Sequence, residues 1–216
     1  MKKNLFFTLF SFAVLVSCGK DKPLTSETNE VTTTKEGSIY HLDTLNSKIE
    51  WKGYKVLKSE NTSHFGIVKF ESGDVTVKDN QLESGKFVAN LSSLESIDLK
   101  DDTAMKSKLE NHLKSGDFFE VNKFPTASYE ITKVSKTTDN SDYNTILDGN
   151  LTIKGITKPV QFNANVAVKD GQISIATEPT DINREDYGVQ FAMPVKNGVI
   201  KDEVTLQVMI KALETN

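Results

Sequence analysis

Between Ile146 and Val168, alternation of polar and apolar residues writes two β-strands and the turn between them. Leu147, Leu151 and Ile153 alternate with Asp148, Asn150, Thr152 and Lys154, and Gly149 occupies one of the apolar-phase places. After a short link at 155–158, Val160, Phe162, Ala164, Val166 and Val168 alternate with Gln161, Asn163, Asn165 and Lys169. A period of two buries one face of a strand and wets the other, which is how an antiparallel sheet with a single core behaves. No run reads as the continuous apolar strand of a doubly wound fold, so a nucleotide-binding crevice is not expected.

The same period recurs along the chain. Strands are predicted at Ile39–Asp43, at Lys48–Val56 with Ile49 and Trp51 on one face, and at Phe65–Val77 with Gly66, Val68 and Phe70 in phase. Ser72-Gly73-Asp74 marks a bulge or bend inside the last of these. Asp79-Asn80 form a turn, and Gly85–Leu91 turns Phe87, Ala89 and Leu91 inward. Thr126–Val134, Gln172–Thr177 and a closing strand with Val204, Leu206, Val208 and Ile210 on one face complete eight or nine strands. The class is therefore mainly β. Such an array closes into a barrel or folds as a sandwich, and a barrel removes exposed edges.

One segment breaks the period. From Asp101 to Ser115, Met105, Leu109, His112 and Leu113 fall at helical spacing among lysines and a glutamate. That is one amphipathic helix, with Asp101 or Asp102 to cap its start and Gly116 just past its end. Its apolar stripe suits it to cover an opening or a flank of the barrel.

The N-terminus has a different character. Lys2 and Lys3 precede the apolar run Leu5–Val16, too short to span a bilayer as a helix and shaped as a secretory signal. It ends in Leu15-Val16-Ser17-Cys18, which resembles the lipobox of bacterial lipoproteins. Residues 1–17 are thus expected to be removed and Cys18 acylated. Cys18 is the only cysteine, so no intramolecular disulfide is available to an exported chain. The plainer alternative is a secreted protein with an incidental cysteine. Residues 18–37, rich in Thr, Ser, Glu, Lys and Asn, are expected to form a flexible tether to a barrel domain at 38–214.

Charge and motifs narrow the chemistry. With 37% hydrophobic and 26% charged residues and a formal charge of −4, the chain has no basic field to collect phosphates, and nucleic acid is not an expected partner. His41, His64 and His112 show no ligand spacing, and no phosphate loop, dinucleotide fingerprint or nucleophile elbow is present. No metal, cofactor or catalytic residue is predicted.

Two places carry polar function. Ser63-His64-Phe65-Gly66 sets an imidazole at the mouth of a long strand. Asn183-Arg184-Glu185-Asp186-Tyr187-Gly188 holds the single arginine of the chain. His64 and Arg184 would hold a polar or anionic head group at a pocket rim. Alternatively, Arg184 pairs with Asp186 or Asp181 and pins a loop across the barrel end. An acid/base pair of Asp181 and Asp186 is disfavoured, because Arg184 between them would hold both ionised.

Tyr40-His41-Leu42-Asp43 with Ser47 to Trp51, His64-Phe65-Gly66, Ser115 to Phe119 running to Phe124-Pro125-Thr126-Ala127, Gly149 to Val160, and Asn183 to Gly188 together resemble the YceI-like family, in its order and over most of the chain. The resemblance implies an eight-stranded antiparallel lipocalin-like β-barrel with one helix. It implies an apolar interior for a polyisoprenoid or similar isoprenoid-like lipid, and an exported protein of the bacterial envelope that binds rather than catalyses. Under it, the inward-phased Trp51, Val68, Phe70, Phe87, Leu91, Tyr129, Leu151 and Phe162 are the candidate lining, with His64 and Arg184 near the head group. The expected protein is membrane-anchored through Cys18, its folded domain in the periplasm or at the cell surface. A solid barrel serving as a structural or interaction lipoprotein is the other reading, since eight-stranded barrels are sometimes filled by their own side chains.

Overall fold

The structure, a computed structural model, describes residues 24–34, 36–138 and 141–215. The signal segment 1–17, Cys18 and the tether as far as residue 23 lie outside the described residues. Ten strands form one antiparallel sheet: β1 (Ser38–Leu42), β2 (Lys48–Leu57), β3 (Glu60–Lys78), β4 (Gln81–Ser96), β5 (Thr126–Lys136), β6 (Thr145–Ile153), β7 (Ile156–Lys169), β8 (Gln172–Thr177), β9 (Thr180–Asn183) and β10 (Gly198–Glu214). The helix α1 (Thr103–Lys114) joins β4 to β5, and a 3-10 turn at Arg184–Tyr187 leads from β9 towards β10.

Consecutive strands pair from β2 to β8, and β10 pairs with both β8 and β2, so the sheet closes into a ring. The ring has eight positions. Two of them are broken staves. β1 and β2 lie end to end between β3 and β10, with Leu42 opposite Ala212 and Lys48 opposite Met209. β8 and β9 lie end to end along β10, interrupted at Glu178-Pro179, where proline removes a ladder donor. β9 pairs with β10 alone among the described residues, which leaves the ladder open between it and the first half of β7.

Tight turns set the register. Lys58-Ser59, Asp79-Asn80, Lys154-Gly155 and Asp170-Gly171 all have both central φ angles positive, the two-residue hairpin geometry that matches strand twist. The expected strands are present, β8 with the expected bounds, β1 shifted by one residue and β3, β4 and β5 longer, and β9 was not anticipated: four residues ending in Asn183 are too few to show a period. A register shift between Phe70 and Ser72 places the expected bulge in β3. Asp102 caps α1 by accepting from Met105 N at 2.9 Å. Ser115 is the C-cap, its N–H and its Oγ both donating to the His112 carbonyl, and Gly116 stands just past it as expected.

The barrel has two unlike ends. One carries the 79–80, 137–144 and 170–171 connections and is packed solid around Val75, Ile131 and Ile173, none more than 1% exposed. The other carries α1, the 115–125 segment and the 184–197 segment. There Glu110 accepts from Ser96 N, Leu113 and Phe119 pack on the core, and the His112 ring meets Phe118 and Phe191 edge-on. This is the lidded end.

Residues 24–34 and 36 are docked on the barrel rather than free. Glu27 N donates to Thr157 O at 2.8 Å, Asn29 and Asn150 exchange two hydrogen bonds, Thr32 N donates to Thr132 O, and Glu36 meets Lys78. The strap crosses β7, β6 and β5 on the outer face before β1 begins. Its composition is too polar to form a core, yet Ser, Asn and Thr side chains are short enough to satisfy both backbones locally.

Candidate functional site

Inside the ring, midway along the strands, lies a cavity of about 60 Å³. Every strand of the ring except the two short stave pieces β1 and β9 contributes to its wall. Phe70, Phe87, Tyr129, Leu151 and Phe162, all expected from phase, line it. So do Ile49, Leu147, Ile175, Leu206, Val208 and Ile210, which the same alternation marks as inward-facing. No charged side chain reaches it, and Tyr129, Ser128 and Thr177 are its polar contributors.

Tyr129 shapes this wall. Its hydroxyl is within 3.0 Å of Leu147 O and 3.1 Å of Val160 O, so one proton is shared between two carbonyls. Its ring meets Phe162 edge-on at 5.3 Å between centroids. Burial, with a smaller push from the Asp148 charge, raises the hydroxyl far above its ordinary pKa, so it remains a neutral donor. The ring lies where a Gly149 side chain would be: a Cβ there would sit 2.2 Å from Tyr129 Cζ. The glycine in the apolar phase is thus a vacancy that an aromatic ring from the next strand fills.

Trp51, Val68 and Leu91 do not line the cavity. Val68 and Leu91 are buried in the surrounding core, and Trp51 packs against it half-buried. The Trp51 indole N–H is buried and makes no hydrogen bond, the single such side-chain atom found among the described residues. A buried donor left unmade costs about 1–3 kcal/mol.

His64 shares the inward face of β3 with Gly66, Val68 and Phe70, opposite Gly53 of β2. Its Nδ1 lies 2.7 Å from Asp98 Oδ2. Asp98 also accepts from Ser96 Oγ at 2.7 Å and from Phe65 N at 3.1 Å. Burial alone would raise the Asp98 pKa, but the His64, Ser96 and Phe65 hydrogen bonds outweigh it and hold the carboxyl below its ordinary value. A depressed pKa contributes stability above the unfolded value of about 3.9 and loses it as pH falls through the folded value. Asp98→Asn is therefore expected to lower the urea midpoint at pH 7, with the difference shrinking below about pH 4. A constant difference across that range would contradict the assignment.

Arg184 is buried, and its fork is spent on the protein. Nε donates to Lys201 O at 3.1 Å, Nη1 to Val189 O, and Nη2 to Ile200 O at 3.4 Å and Asp202 Oδ1 at 2.8 Å. The partner is Asp202, not Asp181 or Asp186; Asp181 instead accepts from Thr205 Oγ1. The reason is reach: the 3-10 turn points the guanidinium between Val189 and the start of β10, where the Val189, Ile200 and Lys201 carbonyls and Asp202 accept. Sequence distance to the near aspartates gave no sign of this.

A second, open cleft of about 560 Å³ lies at the solid end, between the strap and β4–β7. Its wall includes Asn80, Glu83, Lys133, Lys136 and Asn144. It is larger but wet, and a long apolar chain gains little there. No group of three or more His, Cys, Asp or Glu side chains placed to hold a metal occurs among the described residues.

The YceI-like domain profile matches residues 40–212. The chain belongs to the YceI-like family. A protein named YceI from Salmonella arizonae is 30% identical over 77% of this chain and 73% of its own length. A UPF0312 protein from Shewanella baltica is 23% identical over 99% of both chains. UPF0312 proteins of Pseudomonas aeruginosa are 46% identical, but this chain spans only 28% of their length. Among solved structures, Burkholderia cenocepacia BcnA aligns with a TM-score of 0.61 at 18% identity, covering 79% of this chain and 99% of its own. A polyisoprenoid binding domain from Saccharophagus degradans aligns with a TM-score of 0.54 at 12% identity, covering 82% and 98%. Both share the fold of this YceI-like barrel.

Proposed function

We propose that this YceI-like protein is a non-enzymatic lipid carrier of the bacterial envelope, held to a membrane through acylated Cys18 and receiving one isoprenoid-like chain in its barrel. The observation that carries the reading is an interior cavity walled by apolar side chains, with no charged group in its lining. The Saccharophagus degradans domain of the same fold, described as polyisoprenoid-binding, supports the ligand class.

The arithmetic favours a long apolar ligand over a polar one. Each buried methylene contributes about 0.8 kcal/mol, so affinity grows with chain length while the interior supplies few polar contacts. Four of the five Arg184 N–H donors are already spent on the protein, whereas His64 Nε2 makes no hydrogen bond among the described residues.

Volume is the obstacle. A cavity of about 60 Å³ is far below the roughly 150 Å³ of an engineered cavity that holds benzene. Loading therefore requires Phe70, Phe87 or Phe162 to swing aside. The solid-barrel reading draws its support from the same figure. Mass spectrometry of protein purified from membranes is expected to find a co-purifying lipid, and a fluorescent apolar probe is expected to enter wild type but not Leu151→Trp or Phe162→Trp. No lipid from several hosts, no uptake by wild type and destabilisation of both variants by overpacking would establish the solid barrel instead.

A further inference from the structure

We infer that the lidded end of the barrel is its membrane-facing surface, apposed to the bilayer that holds the acyl chains of Cys18. The inference rests on the anchoring part of the proposed function and is independent of whether the interior carries a lipid.

The strap supplies the first observation. It joins β1 at the solid end but begins at the other: Leu24 abuts Gly188, which ends the 3-10 turn, and Glu27 bonds Thr157 and Lys158 at the start of β7. Six residue steps separate Leu24 from Cys18. Fully extended they reach roughly 20 Å. β7 runs 14 residues from the lidded end to the solid end, roughly 45 Å along the strand. With a strand tilt of about 40° that is still roughly 35 Å of barrel height. The leash is too short to let the solid end turn to the membrane while the strap stays docked.

Surface chemistry supplies the second. Leu24, Phe65, Ile97, Met105, Val195 and Val199 are each 40% or more exposed, and all lie at or near the lidded end. Ile39 and Leu213 are the comparably exposed apolar residues towards the solid end, Val31 lies on the strap where it passes from β6 to β5, and Leu45 stands on the outward loop between β1 and β2. Met105 belongs to the apolar stripe of α1 but points past the barrel rather than into it, being 46% exposed. The occupant that fits is a lipid surface. The charges at this rim include both Lys58 and Lys196 and Glu60, Asp101 and Asp102, so apolar contact rather than net charge would favour it.

Because Cys18 is the only cysteine and is blocked when acylated, a thiol-reactive fluorophore reports one introduced site at a time. Full-length acylated protein carrying Met105→Cys, Val195→Cys, Ile39→Cys or Leu213→Cys would be reconstituted in phosphatidylcholine vesicles containing doxyl-labelled lipid. Quenching is expected to be at least threefold greater at 105 and 195 than at 39 and 213. Equal quenching, or stronger quenching at 39 and 213, overturns the orientation. Protein that fails to float with the vesicles, and wild type that fractionates like Cys18→Ser, would remove the anchor and the orientation with it. Co-purification of lipid is read separately, so an empty barrel leaves this result standing.

Discussion

Gly149→Ala is expected to destabilise the protein by about 3 kcal/mol, although alanine in place of glycine within a strand ordinarily gains 0.5–1 kcal/mol. Gly149 has no positive φ, so its backbone does not require glycine. The obstacle is spatial, a Cβ 2.2 Å from Tyr129 Cζ and 2.4 Å from its hydroxyl. To make room, the Tyr129 ring would have to leave Phe162 and release the carbonyls of Leu147 and Val160. Tyr129→Ala alone opens a cavity at a cost of about 3–5 kcal/mol, as for other large aromatic truncations. The two changes compensate in the double variant, where the new methyl meets space. Urea denaturation of the four proteins measures the coupling, and an interaction energy below about 0.5 kcal/mol would show that the ring and the glycine are independent.

Arg184→Met should cost about 3 kcal/mol, or roughly 6–12 °C in melting temperature. Methionine approximates the volume but leaves the carbonyls of Val189, Ile200 and Lys201 without their donor. Asp202 is half exposed and turns to water, so its share of the loss is small. Lysine would recover a minor part, because a point charge does not address three directions at once. Limited proteolysis should show cleavage within 188–200 rising in step. Apolar-probe uptake per folded molecule is expected to survive. Its selective loss in a variant that stays fully stable would instead make Arg184 a head-group ligand.

The ring itself was readable because its signal is a period: Phe70, Phe87, Leu151 and Phe162 declare their face by alternation alone. The register of closure was not. That β1 and β2 share one stave, and β8 and β9 another, depends on a loop at 43–47 and on Glu178-Pro179, neither of which has a period. Trp51 and Leu91 have the right phase yet miss the cavity, because phase fixes the side of the sheet and not the height along the barrel. Gly149 stood out as an apolar-phase glycine, but the ring that fills its place comes from β5, a contact no local pattern announces. Arg184 drew notice by being the only arginine, and apart from the Val189 carbonyl its partners lie 16 to 18 residues away on β10. The docking of residues 24–34 and 36 was not legible for a plain reason: composition shows that a segment lacks a core of its own, not that it lacks a surface to lie on.

β10 touches β1, β2, β8 and β9 and is the last of the ten strands in sequence order. Its partner β1 lies about as far away as the domain allows, Tyr40 opposite Glu214. Pairings so distant in sequence are slow to form. A chain threaded N-terminus first through an export channel would therefore stay an unclosed ribbon until its final strand came through. Such delayed closure suits translocation, and it offers a moment at which a greasy guest could be wrapped rather than threaded.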